Sequence, residues 1–138
     1  MVPISKESGL AWTTCSVDDA AGSPQAIKND ITNLDFATPR AVQDVTGIDK
    51  SANERILLLA DFSCTLNGVY NDDANMGHAV FKTIPSTSVA RTLTLVVSGQ
   101  TLANEVLFTD YPLSRSATGE LVYAVPGVLA NGAVPTWS

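Results

Sequence analysis

Residues Glu54 to Leu66 read ERILLLADFSCTL, and their reading decides the fold. Side chains alternate across a β-strand, so a strand that meets a core on one side shows a period of two. Read as one long strand, the stretch places Ile56, Leu58, Ala60, Phe62, Cys64 and Leu66 on one face. Arg55, Asp61, Ser63 and Thr65 fall on the other, where Leu57 and Leu59 join them. The first face is expected to meet the core. The second is only half polar, and a small β domain with two partly apolar sheet faces calls for a partner on the second. Another copy of the chain is the obvious candidate.

Outward from this stretch, strand patterns dominate. Leu10 to Val17 has strand character, anchored by Trp12 and Val17, and Gly22-Ser23-Pro24 marks a turn. Gln25 to Leu34 alternates, with Ile27 and Ile31 on one face. Residues 35–53 are polar and interrupted by Pro39 and Gly47, which predicts a long inter-strand loop with at most a short strand at Arg40 to Thr46. Loops of that length in compact domains are usually functional. Asn67-Gly68 is read as a turn, and a helix is expected over about 71–84. Met76, Ala79, Val80 and Ile84 recur there at helical spacing, Asn71 or Asp72 can cap the start, and Pro85 ends it. Strands then follow around Val89 to Val97, Leu102 to Phe108 and Leu121 to Val125, separated by Ser98-Gly99, Pro112 and Thr118-Gly119. The tail is punctuated by Gly and Pro but ends on Trp137, an indole expected to dock on the domain or on a neighbour. The pattern predicts a mainly β fold: a β-sandwich or partial barrel flanked by one α-helix, with residues 1–138 as one domain.

Composition narrows the function classes. The chain carries 14 acidic and 8 basic residues, a net charge of −6, and its cations form no stripe. Tight nucleic-acid binding needs clustered cations that displace counterions from phosphates, so it is excluded. A surface past which DNA slides is not. No apolar run reaches the roughly 18–20 residues that span a bilayer, and the N-terminal MVPISKESGL lacks a charged-then-apolar signal pattern. Synthesis in a cytoplasm, followed by retention or release by lysis, is the expectation. Cys15 and Cys64, far apart and with a single histidine in the chain, predict buried thiols rather than a zinc site or a disulfide. No cofactor is expected. No phosphate-binding glycine loop or nucleophile elbow occurs. His78 reads as a packed or surface helix residue, and Asp72-Asp73 as acids at a helix start.

Four segments carry a resemblance: DVTGIDKSANERILLLADFSCTLNGVYND (Asp44 to Asp72), GHAVFKTI (Gly77 to Ile84), RTLTLVVSGQTLANEVLFTDYPLSRSATGEL (Arg91 to Leu121) and VPGVLANGAVPTW (Val125 to Trp137). Together with the order of elements they resemble the major tail tube proteins of long non-contractile-tailed bacteriophages, especially those of actinobacteria. The resemblance implies a structural protein without catalysis. Such proteins form hexameric rings that stack into a hollow tube around a tape-measure protein, meet tail terminator and tail-tip proteins at the ends, and let double-stranded DNA pass without tight binding. The location implied is the virion tail, after synthesis in the host bacterial cytoplasm.

Within that frame, Leu57 and Leu59 are expected at an inter-subunit sheet. Phe36, Val45 and Ile48 are expected either between rings or folded back on their own domain. Asp61 and Glu105 are candidates for the lumen or for plain solvated surface. An acidic wall repels phosphates and suits a conduit. Two alternatives remain: a monomeric β-sandwich binding module, which needs an exposed aromatic platform, and a related terminator, connector or secretion-tube protein.

Overall fold

The computed structural model describes residues 6–138. Residues 1–5, the start of the stretch read above for a signal pattern, lie outside it. After a 3-10 turn at Gly9–Ala11 come β1 (Trp12–Asp18), β2 (Pro24–Ala26), β3 (Ile31–Ala37), β4 (Arg40–Asp44), β5 (Arg55–Ala60) and β6 (Ser63–Val69). The helix α1 (Gly77–Phe81) leads to β7 (Arg91–Val97), β8 (Gln100–Phe108), β9 (Leu113–Arg115) and β10 (Leu121–Leu129). Eight strands form one antiparallel sheet in the order β2-β1-β7-β8-β10-β6-β3, with β9 beside β10. The sheet curls into a partial barrel around Val17, Phe62, Leu66, Leu93, Leu95, Leu102, Val106 and Val125, all fully or almost fully buried. The helix covers one end, burying Val80 and Phe81. The expectation of a mainly β fold with one flanking helix holds.

The quoted stretch is not one strand. β5 ends at Ala60 and belongs to a separate two-stranded sheet with β4, whereas β6 joins the main sheet between β10 and β3. The break falls at Asp61-Phe62. The Asp61 carboxylate accepts the Phe62 N–H at 2.8 Å, the Asp61 N–H donates to the Pro39 carbonyl, and the Phe62 carbonyl accepts the Leu129 N–H. Phe62, Cys64 and Leu66 reach the core as expected, but Ile56 and Leu58 do not and stay exposed. The alternation is real only after the break. Before it, Ile56-Leu57-Leu58-Leu59 is apolar at every position, which is no signal for either face.

The expected loop over 35–53 is a hairpin instead. β3 carries the chain to Ala37, β4 pairs antiparallel with β5, and only the tip from 45 to 54 is irregular. Phe36 therefore lies in β3, not in a loop. A register shift between Ile31 and Asn33 changes the parity of β3, so Leu34 and Phe36 share the inward side with Ile31, which strict alternation forbids. The Phe36 ring packs at 6.3 Å from both Trp12 and Phe62.

The helix is also shorter than the 71–84 expected. Its N-cap is Met76, with no side-chain cap. The missing cap comes from the turn before β3: the buried Asp30 accepts the Gly77 N–H on one oxygen and the Asn71 side-chain amide on the other, both at 2.8 Å. Asn71 is not the N-cap, but its carbonyl accepts the His78 N–H at 3.1 Å while its side-chain amide holds Asp30. At the other end, the buried Arg91 donates from Nη1 to the carbonyls of Val80 (3.0 Å) and Asp18 (3.1 Å), and from Nη2 to Thr83 Oγ1 (2.6 Å). β10 runs through Pro126 and Gly127 to Leu129, beyond the expected end at Val125. A Cβ on Gly127 would sit 2.6 Å from Val106 and 3.0 Å from Cys64 Sγ, so glycine is what lets β10 lie this close to the core.

Candidate functional site

The β4–β5 hairpin is an arm. Among the described residues its two strands pair with each other and not with the main sheet. Every residue of β4 is exposed, and so are all of β5 but Ala60. Val42, Ile56, Leu57, Leu58 and Leu59 lie bare, Leu57 at 58% and Leu59 at 87% exposure. Isolated two-stranded hairpins are marginal in water. This one is reinforced at both ends. At the root, the Arg40 guanidinium donates twice to the Leu58 carbonyl, at 3.1 and 2.7 Å. At the tip, the Val45 N–H donates to the Glu54 carbonyl at 2.9 Å. The Thr46 hydroxyl and N–H donate to the Asp44 carboxylate, and these bonds hold the Asp44 carboxyl below its usual range. Val45 and Ile48 sit in this tip, and Ile48 is as exposed as a residue can be.

The structure therefore separates the three residues expected at a ring-to-ring contact. Val45 and Ile48 are on the arm, while Phe36 belongs to the core wall. Leu57 and Leu59 are on the arm as well and not on a wet face of the main sheet. The backbone beside Asp61 and that of Glu105 both meet the Leu129-Ala130 segment. The Leu129 N–H donates to the carbonyl of Phe62, next to Asp61, and the Ala130 N–H donates to the carbonyl of Glu105. Asp61 is exposed at the root of the arm. Glu105 is half-buried on the outward side of β8, where Thr92 Oγ1 of the neighbouring strand donates to it.

Trp137 is half exposed. It bridges to Leu102, its neighbour Ser138 exchanges two backbone hydrogen bonds with Thr101 (2.8 and 2.9 Å), and its ring lies 6.0 Å from Phe36. The tail thus closes a single antiparallel bridge on the half of β8 that β10 leaves uncovered. His78 packs at 4.9 Å from the Tyr70 ring, with Nδ1 3.1 Å from the Tyr111 hydroxyl. Cys15 and Cys64 are buried thiols, each pushed up to about 12 by desolvation.

Sequence reasoning missed a groove of about 520 Å³ at the seam of the barrel, between β1 and β3. Its walls include Leu10, Trp12, Ile31 and Leu34, and Leu10 is 94% exposed. Seam residues carry no local signal, because β1 and β3 meet only through the curl of the whole sheet.

No protein-family model matches the sequence, and no curated protein does. Solved structures match over almost the whole fold. One is a chain from the virion of a native gene transfer agent particle, with a TM-score of 0.74, 14% identity, and 96% of this chain and 99% of that chain covered. Another is a chain from the tail of an empty gene transfer agent particle with C6 symmetry, with a TM-score of 0.73, 16% identity, and coverage of 96% and 98%. Over that covered length this chain has the fold of those particle proteins.

Proposed function

We propose that this chain is a tail-tube-like structural protein: copies close into a hexameric ring, and rings stack into the tube of a phage-like tail. The observation that carries the reading is the bare apolar arm, on a fold matched at nearly full length by a chain from a C6-symmetric tail. Consecutive apolar residues on both faces of a strand are expensive in water, and burying each would contribute roughly 1.5–3 kcal/mol before ordering costs. A monomer gains nothing from such an arm; an assembly does.

The finer reading follows the same logic. Val45, Ile48, Leu57 and Leu59 make contacts between copies. Asp61 and Glu105 contribute to an acidic bore that DNA passes without sticking, and a tape-measure protein fills that bore before ejection. The long-tailed phage setting, with terminator and tip proteins at the tube ends, belongs to this proposal too.

The test is mass in solution against protein concentration, with negative-stain microscopy of the same samples. Ring-sized species at six times 14.5 kDa, and tubes at higher concentration, are expected. A species that stays at the mass of one chain at all concentrations refutes the reading.

A further inference from the structure

We propose that the seam groove between β1 and β3 is the seat for strand β5 of a neighbouring copy. The inference rests on the self-assembly proposed above and names the surface that receives the arm. β5 presents Ile56, Leu57, Leu58 and Leu59 in succession, all exposed. A strand that is apolar at every position needs cover on both faces, as strands buried between two layers have. A flat patch covers one face, whereas a slot covers two. The groove offers apolar lining in Leu10, Trp12, Ile31 and Leu34 beside the polar Lys28, Thr32 and Asn33, and the edge of β3 that bounds it has no strand partner among the described residues. That edge offers backbone donors and acceptors to an incoming strand, and an open edge is otherwise a liability.

The chain's own arm is badly placed for this seat. It leaves β3 at Ala37, whereas the groove is lined by Ile31, Thr32, Asn33 and Leu34 in the half of β3 remote from the arm. Arm and seat at opposite ends of one strand make a heterologous contact: each copy gives its arm to the next and receives one from the previous. Such contacts close into rings or propagate. Four side chains of this size supply on the order of 100 Å² each, about half of the roughly 800 Å² per partner of a standard interface. The arm therefore adds to a ring contact and does not replace it.

Disulfide trapping tests the seat. Two single variants, Leu58→Cys and Asn33→Cys, are mixed, assembled and oxidised, and the mixed dimer is read on a non-reducing gel with one variant tagged. The buried native thiols remain protonated at neutral pH. A mixed dimer between positions 58 and 33 is expected, with none when Leu58→Cys is paired with Val122→Cys on the outward side of β10. Rings that form while 58 links to 122 and not to 33, or to neither, overturn the seat and leave self-assembly standing. Failure of the unmodified chain to associate at all overturns both.

Discussion

Asp30 Oδ2 accepts the N–H of Gly77 at 2.8 Å across 47 positions of sequence. The bond ties the start of a five-residue helix to the loop that opens β3. A helix this short lacks the length to hold itself, and its first N–H groups have no partner within the helix. Asp30 supplies one such partner and also holds Asn71 in place.

Asp30→Ala is therefore expected to cost about 2–4 kcal/mol, the range for losing charge-assisted bonds and stranding buried donors. The denaturation midpoint measures it. A change under roughly 0.5 kcal/mol, the size of an ordinary surface substitution, would mean the helix is anchored by packing alone.

Tyr123 presents the reverse case. Its hydroxyl is buried with no hydrogen-bond partner, pressed against Gly68 and Gly77, where added Cβ atoms would come within 2.5 and 2.8 Å of it. Tyr123→Phe removes an unsatisfied group and should leave stability unchanged or raise it by about 1 kcal/mol. Gly68→Ala should destabilise the fold, because the new methyl group also meets the Asp30 carbonyl at 2.7 Å. A Tyr123→Phe loss above about 2 kcal/mol would show that the hydroxyl has a partner after all.

Two substitutions on either side of the Asp61 break should behave oppositely. Phe62→Ala empties a fully buried site and is expected to lower stability by about 3–5 kcal/mol. Leu59→Ala, at a bare position only three residues earlier, should stay within about 0.5 kcal/mol in the monomer. Equal losses in chemical denaturation would put β5 into the core.

Ile48→Asp places a charge at the fully exposed tip of the arm. The lone chain should keep its unfolding midpoint, while assembly into rings or tubes is lost. Tubes of normal appearance by electron microscopy would remove the tip from the contacts between copies.

Alkaline pH should destabilise the fold. Burial pushes the thiols of Cys15 and Cys64 from the ordinary 9.0 up to about 12, and the Tyr111 hydroxyl from 10.0 to about 12. Between those values the unfolded chain has released protons that the native chain still holds. The unfolded state then binds fewer protons, so stability falls as pH rises from about 9 toward 12 and is unaffected by these groups below pH 8. Midpoints that stay level from pH 8 to 11 would contradict the burial of all three groups. Thiol alkylation at pH 8 should likewise proceed only after unfolding.

Much of the architecture was readable along the chain, because its signals are local. Leu93 and Leu95 alternate with Thr92 and Thr94, as a half-buried strand requires, and Ser98-Gly99 turns the chain back between β7 and β8 as expected. Met76, Val80 and Ile84 marked the helix, though its length was overread, since propensity does not report where a distant carboxylate caps the first turn. The candidate site was legible in composition only. The excess of leucine in β5 pointed to a partner, yet its position on an arm was hidden. Phe36 was placed in a loop because the polar stretch after Leu34, broken by Pro39 and Gly47, hides that β3 continues to Ala37.

By itself the sequence determined the β class, most core side chains after Phe62, the acidic charge balance and the surplus of apolar residues around Leu57. These follow from periodicity and charge, which act over a few residues. Only the tertiary structure decided that residues 54–66 divide between two sheets, that Asp30 caps a helix far along the chain, and that a groove opens between β1 and β3. Each of these depends on which strands become neighbours. That choice is made by the energy of the whole packed sheet, and no window of local sequence contains it.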